Sequence, residues 1–136
     1  MIQYLLDTNI ISELSKPQPN PNIVKFVLSL DQVWLSIITI HELKYGLSLL
    51  PEGNKRTQLS RAVDDIIQLY ANFIIPISDE EASVAATLRA KARKAGKSCH
   101  LADSLIAGTA KAHGLTVVSR NEKDFIPFDV DVVNPT

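Results

Sequence analysis

Asp7, Glu42 and Asp103 stand where acidic side chains call for an explanation. Asp7 directly follows the apolar run Tyr4-Leu5-Leu6, and Thr8 and Asn9 come next. Asp, Thr and Asn all accept free N–H groups at a helix start, so capping is one account of them. Glu42 completes Thr39-x-x-Glu42, a capping box, and an N-terminal brace is its competing account. Asp103 lies among Leu101, Ala102, Leu105 and Ile106. A charge on the apolar side of a helix is rare without a partner, so Asp103 is the hardest of the three to explain structurally. His100, one turn earlier, is an available local partner. Carboxylates gathered at ~5 Å would repel by about 3 kcal/mol per pair at an effective dielectric near 20. A divalent cation relieves that repulsion. Oxygen-only donors favour Mg²⁺ or Mn²⁺, whose usual work in such sites is phosphodiester hydrolysis through an activated water. Cys99 is the only cysteine, and His41 and His113 lack ligand spacing, so no zinc site is expected.

These acids need a frame that brings them together. Residues 2–6 read as a buried strand and 9–14 as a short helix. Residues 16–22 hold three prolines and must be a loop. Ile23, Phe26, Val27 and Leu30 have helical spacing, and Val33–Ile37 is β-branched and aromatic. Helices follow over 39–50 and 54–70, then a strand over 73–77. Ser78-x-x-Glu81 is a capping box opening a helix that Gly96 stops. A helix over 101–113 ends before Gly114, a strand spans 115–118, and a short fifth strand covers 130–133. Asp64, Asp65, Glu80 and Glu81 read as solvated helix positions. Strands alternating with helices predict a three-layer α/β domain with a mainly parallel, roughly five-stranded sheet. In such sheets ligands bind at the carboxyl ends of the strands, where Asp7, Glu42, Asp103, Asn121 and Asp124 fall.

The chain's 136 residues predict a single domain over 1–136, large enough to bury a core without staples. Apolar residues at 46% and charged residues at 21% are ordinary for a globular protein. A net charge of −1 gives no global attraction for nucleic acid, so any such contact must be local. No signal peptide or membrane span is read in the apolar runs, and the single cysteine fits a reducing compartment, so a cytoplasmic location is expected. No Gly-x-Gly-x-x-Gly follows a strand, which excludes a dinucleotide site.

The segments LLDTNIISEL, LSIITIHELKYG, HLADSLIAGTAKAHGLTVVSRNEKDF and VVNP together resemble the PIN-domain ribonucleases, above all the VapC toxins of bacterial type II toxin–antitoxin modules. The resemblance covers residues 4–135. It implies a PIN-like parallel sheet with acids gathered at one end. It also implies a Mg²⁺- or Mn²⁺-dependent endoribonuclease, with Asp7, Glu42 and Asp103 as metal ligands and catalytic acids. Asn121 stands at the family's fourth acidic position. The resemblance counts Asn121 among the catalytic residues; Asp124 is its rival there, with bracing of the turn before Phe125 as its preferred role. Thr8 and Asn9 resemble the polar residues that support the first acid and the metal, and are expected to help bind the substrate. A VapB-like antitoxin and a homodimer are the implied protein partners. Ile10, Leu14, Tyr45 and Leu49 are candidates for a protein contact, with core the preferred reading for the first two.

RNA at an acidic pocket needs cations beside it. Arg89 and Arg93 share a helix face within RAKARKAGK, and Arg120 and Lys123 flank Asn121. They are expected to hold the RNA backbone, against an ordinary solvated surface for the first pair. Two other readings compete. An inactive PIN-like binding module is left open by Asn121. A phospho-acceptor signalling domain fits poorly, because one acid rather than two follows the first strand.

Overall fold

Apolar residues alternate along each strand and divide the core in two. Leu5, Ile75 and Val117 face one side, where they pack with Ala92, Ile106, Ala107, Ala110, Phe125 and Phe128. Leu6, Val33, Leu35 and Val118 face the other and meet Ile10, Ile11, Ile23, Val27, Leu43 and Val63. This two-residue period is what a strand covered on both faces requires. The computed structural model describes residues 1–136.

The elements run β1 (Tyr4–Leu6), α1 (Thr8–Leu14), α2 (Pro21–Leu28), β2 (Val33–Ser36), α3 (Ile37–Leu49), α4 (Asn54–Leu69), β3 (Ile74–Ile75), α5 (Asp79–Lys94), α6 (Leu101–His113), β4 (Thr116–Val118) and β5 (Val132–Val133). The sheet order is β3-β2-β1-β4-β5, and every pairing is parallel. The chain steps outward from β1 to β3 and then returns to the other side of β1. The order therefore reverses between β1 and β4, where Leu5 pairs with Val117 and Leu6 with Val118. That reversal leaves a crevice at the carboxyl ends of these two strands.

The expected elements are all present, with shorter strands, but α2 starts at Pro21 inside the expected loop, because Asn20 caps it and proline is tolerated at the first helical position. β1 begins at Tyr4 rather than at residue 2, and Ile2 is 65% exposed. Ser36, not Thr39, caps α3: its Oγ accepts the Ile38 N–H at 3.0 Å. Thr39 is thus inside the helix and fully buried, and the Thr39–Glu42 capping box does not form. Glu42 falls in the second turn, not the first, and loses its structural explanation. Glu81 is also not solvated. It is 3% exposed, accepts the Ser78 N–H at 2.8 Å and lies 2.7 Å from His113 Nε2. Hydrogen bonds from Ser78 and His113 hold its carboxyl down at about 2.

Glu81 and His113 tie the start of α5 to the end of α6, so the two helices run antiparallel. They approach closely at Ala85 and Gly108, where a Cβ on the glycine would lie 2.6 Å from that of Ala85. α5 ends as expected, with Gly96 at φ +77° and the Lys97 N–H returning to the Ala92 carbonyl at 3.0 Å. This hairpin sets Asp103, in the first turn of α6, at the same end of the sheet as Asp7.

Candidate active site

A cleft of about 370 Å³ opens at the reversal point. Asp7, Glu42, Asp103, Asn121 and Asp124 line it, together with Thr8, Asn9 and Arg120. Ser12, Glu13, Lys16 and Ile106 complete the wall. One apolar residue among twelve makes this a site for a charged, hydrated ligand.

Asp7 is both cap and site residue. Its extended backbone (φ −71°, ψ 159°) ends β1, and its N–H donates to the Val118 carbonyl at 2.9 Å. Oδ1 accepts the Thr8 N–H at 2.8 Å, capping α1, and Oδ2 accepts the Ser119 hydroxyl at 2.8 Å. The carboxylate is 6% exposed and held from both sides. Ser119, fully buried just past β4, also accepts Asn9 Nδ2 at 3.2 Å and the Asn121 N–H at 3.0 Å. Asn9 Oδ1 in turn accepts the Arg120 N–H at 3.2 Å. These bonds stitch the start of α1 to the loop after β4 across the reversal point. The Thr8 hydroxyl donates to Thr39 Oγ1 at 3.3 Å, joining α1 to α3.

The acids feel one another. Burial raises the Asp7 carboxyl above its usual value, hydrogen bonds from Ser119 and Thr8 oppose the rise, and the charges of Asp124 and Glu42 add to it. Burial, then the charge of Asp7, then that of Asp124, pushes Asp103 up to about 6, partly offset by His100. In their present rotamers no three of these carboxylates converge closely enough to hold one ion together. Mutual repulsion favours that spread, and side-chain rotation is what brings such groups onto a cation. The donor set is all oxygen and strongly anionic, so it fits a hard divalent ion.

Thr8, Asn9 and Arg120 lie in the cleft as the sequence predicts. Asn121 and Asp124 both line it, joined by the Asp124 N–H to the Asn121 carbonyl at 3.1 Å. Asp124 is half-buried, whereas Asn121 is exposed. The turn before Phe125 is braced by main-chain bonds, with the Phe125 N–H on the Glu122 carbonyl at 3.0 Å. Arg89 and Arg93 are exposed on α5 and are not part of the cleft wall. The sequence reading missed Glu13, Lys16 and Ser119. The first two had a legible sign: Asn9, Ser12 and Glu13 are polar at i, i+3 and i+4 on one face of α1, and Lys16, just past the helix end, continues the spacing at i+7. Ser119 had none, because a serine after a strand is ordinary.

Comparison with known proteins gives a consistent result. The PIN domain family matches residues 4–129. The toxin FitB of Neisseria gonorrhoeae is 43% identical over 134 residues, 96% of each chain. A VapC ribonuclease of Sinorhizobium fredii is 34% identical over 134 residues, again 96% of each. The crystal structure of FitAcB from Neisseria gonorrhoeae superposes with a TM-score of 0.87 at 42% identity, covering 97% of both chains. With its parallel five-stranded sheet and its acids at the reversal point, this chain belongs to the PIN domain family.

Proposed function

We propose that the chain is a Mg²⁺- or Mn²⁺-dependent endoribonuclease and the toxin of a type II toxin–antitoxin pair. The observation that carries this reading is the cleft itself: buried Asp7 and half-buried Asp103, with Glu42 and Asp124, repel one another where strand order reverses. Relatives named as a toxin and as a VapC ribonuclease support it. A divalent ion, when bound there, would activate a water and offset charge on the phosphate. Asp7, Glu42 and Asp103 would hold that ion. Asp124 supplies the fourth charge, since its field reaches both Asp7 and Asp103. Asn121 orients ligands through its amide. Ser119 and Thr8 fix Asp7 in place, and Asn9 fixes the loop that carries Arg120. Arg120 faces the RNA backbone, and Arg89 and Arg93 extend the cationic surface beyond the cleft.

A groove of about 900 Å³ shares Ser12 and Lys16 with the cleft and is lined by Leu14, Pro17, Leu50 and Leu59. A VapB-like antitoxin segment lying in this groove reaches the mouth of the cleft and blocks RNA. Ile37, His41, Tyr45 and Leu49 form an exposed stripe on α3 suited to a homodimer, which the mass of the purified chain in solution tests. No helix is long and apolar enough to cross a membrane.

The test of the activity is RNA cleavage by the purified chain. EDTA should abolish it, and added Mg²⁺ or Mn²⁺ should restore it. Undiminished cleavage in excess chelator would overturn the mechanism.

A further inference from the structure

Glu13 does something that its place on a short helix does not demand. It is 6% exposed and accepts three bonds: from Lys16 Nζ at 2.9 Å, from the Asn20 N–H at 2.8 Å and from Arg120 Nη1 at 2.7 Å. The bonds from Lys16 and Asn20, with the positive charges of Lys16 and Arg120, hold its carboxyl below the usual range. Arg120 is fixed along its main chain as well. Its N–H donates to Asn9 Oδ1, and its carbonyl accepts Asn134 Nδ2, both at 3.2 Å. Only its side-chain torsions remain free to choose a partner.

That choice matters because of what else is present. Arg120 and Lys16 line the same cleft as Asp7, Glu42, Asp103 and Asp124. A guanidinium released from Glu13 would find these carboxylates as the next available anions. Paired to them it would occupy the lone pairs that a divalent ion needs. One arm of Arg120 is engaged by Glu13, which leaves its other N–H groups for a phosphate, and its side chain is 40% exposed.

Building on the metal-dependent ribonuclease reading, we propose that Glu13 is a positioning residue that holds Arg120 and Lys16 at the rim, as an anchor for an RNA phosphate flanking the one cleaved, and keeps Arg120 off the metal-binding carboxylates. The same contact therefore serves both ligands. It gives the RNA a fixed cationic point and leaves the acids free for the ion.

The experiment titrates Mn²⁺ into the purified full chain without RNA, comparing wild type with Glu13→Gln, Arg120→Gln and the double variant. Glu13→Gln should weaken Mn²⁺ binding about fivefold or more, and adding Arg120→Gln should return it to within about twofold of Arg120→Gln alone. A merely structural Glu13 would lower the melting temperature without that rescue. Unchanged Mn²⁺ affinity in Glu13→Gln, or a loss that persists in the double variant, overturns the proposal. Failure of the wild type to bind Mn²⁺ at all overturns the metal reading beneath it, which is a separate result. In cleavage assays on a single-stranded RNA, Arg120→Gln should raise KM with little change in kcat. A fall in kcat at constant KM would remove the phosphate-anchoring role.

Discussion

Asp103 is where the site's electrostatics become measurable. Burial and the charges of Asp7 and Asp124 raise its carboxyl from 3.8 to about 6. An acid whose pKa rises on folding binds protons more tightly in the folded state. It therefore costs no stability below about pH 4, and the cost grows as pH climbs to 6 and is complete above it. Asp103→Asn removes that cost. In EDTA at neutral pH the variant should melt above wild type, by about 1–2 kcal/mol once partial solvation is discounted. The gap should close in acid, and Mn²⁺ should stabilise wild type but not the variant. A lower melting temperature for the variant in EDTA would return Asp103 to a helix-start role. The fourth charge is tested by metal titration of cleavage. Asp124→Asn should raise the Mg²⁺ or Mn²⁺ needed for half-maximal rate severalfold, and Asn121→Asp should change it little. The reverse pattern would give that role to position 121.

At the scale of elements, α5 and α6 fix where Asp103 stands. Their contact at Ala85 and Gly108 leaves no room for a side chain, because a methyl group on Gly108 would meet the Ala85 backbone at 2.7 Å as well as its Cβ. Gly108→Ala gains about 1 kcal/mol of helix propensity but overpacks a fixed contact, at a cost of about 1–3 kcal/mol. The clash should win, since neither helix backbone can yield without moving its partner. Urea unfolding should show a net loss of stability; a gain would mean that the hairpin relaxes freely. The same hairpin shows why local reading goes only so far. Ser78-x-x-Glu81 was legible as a capping box, but His113, 32 residues on, was not legible as its partner. Thr39-x-x-Glu42 was equally persuasive and does not cap, because Ser36 starts α3 three residues earlier. Asp7 was legible at once, since a strand that ends on a carboxylate is visible without any tertiary contact. Glu13 was not, because its burial depends on Arg120 from the loop after β4, far along the chain.

At the scale of the molecule, alternation of strands and helices was enough to expect a parallel three-layer sheet. The order β3-β2-β1-β4-β5 depends on long-range pairing that no local pattern encodes. That order is what converts separated acids into one cleft: Asp7 leaves β1, Asp124 follows β4, and Glu42 and Asp103 arrive on the flanking helices. RNA cleavage in this cleft is the activity proposed for the chain. The most direct measurement is sequencing of RNA 5′ ends after brief expression of wild type and of Asp103→Asn in cells. Wild type should create discrete new 5′ ends that the variant, present at equal level, does not. No new ends with wild type, or the same ends with Asp103→Asn, would rule out RNA cleavage by these acids.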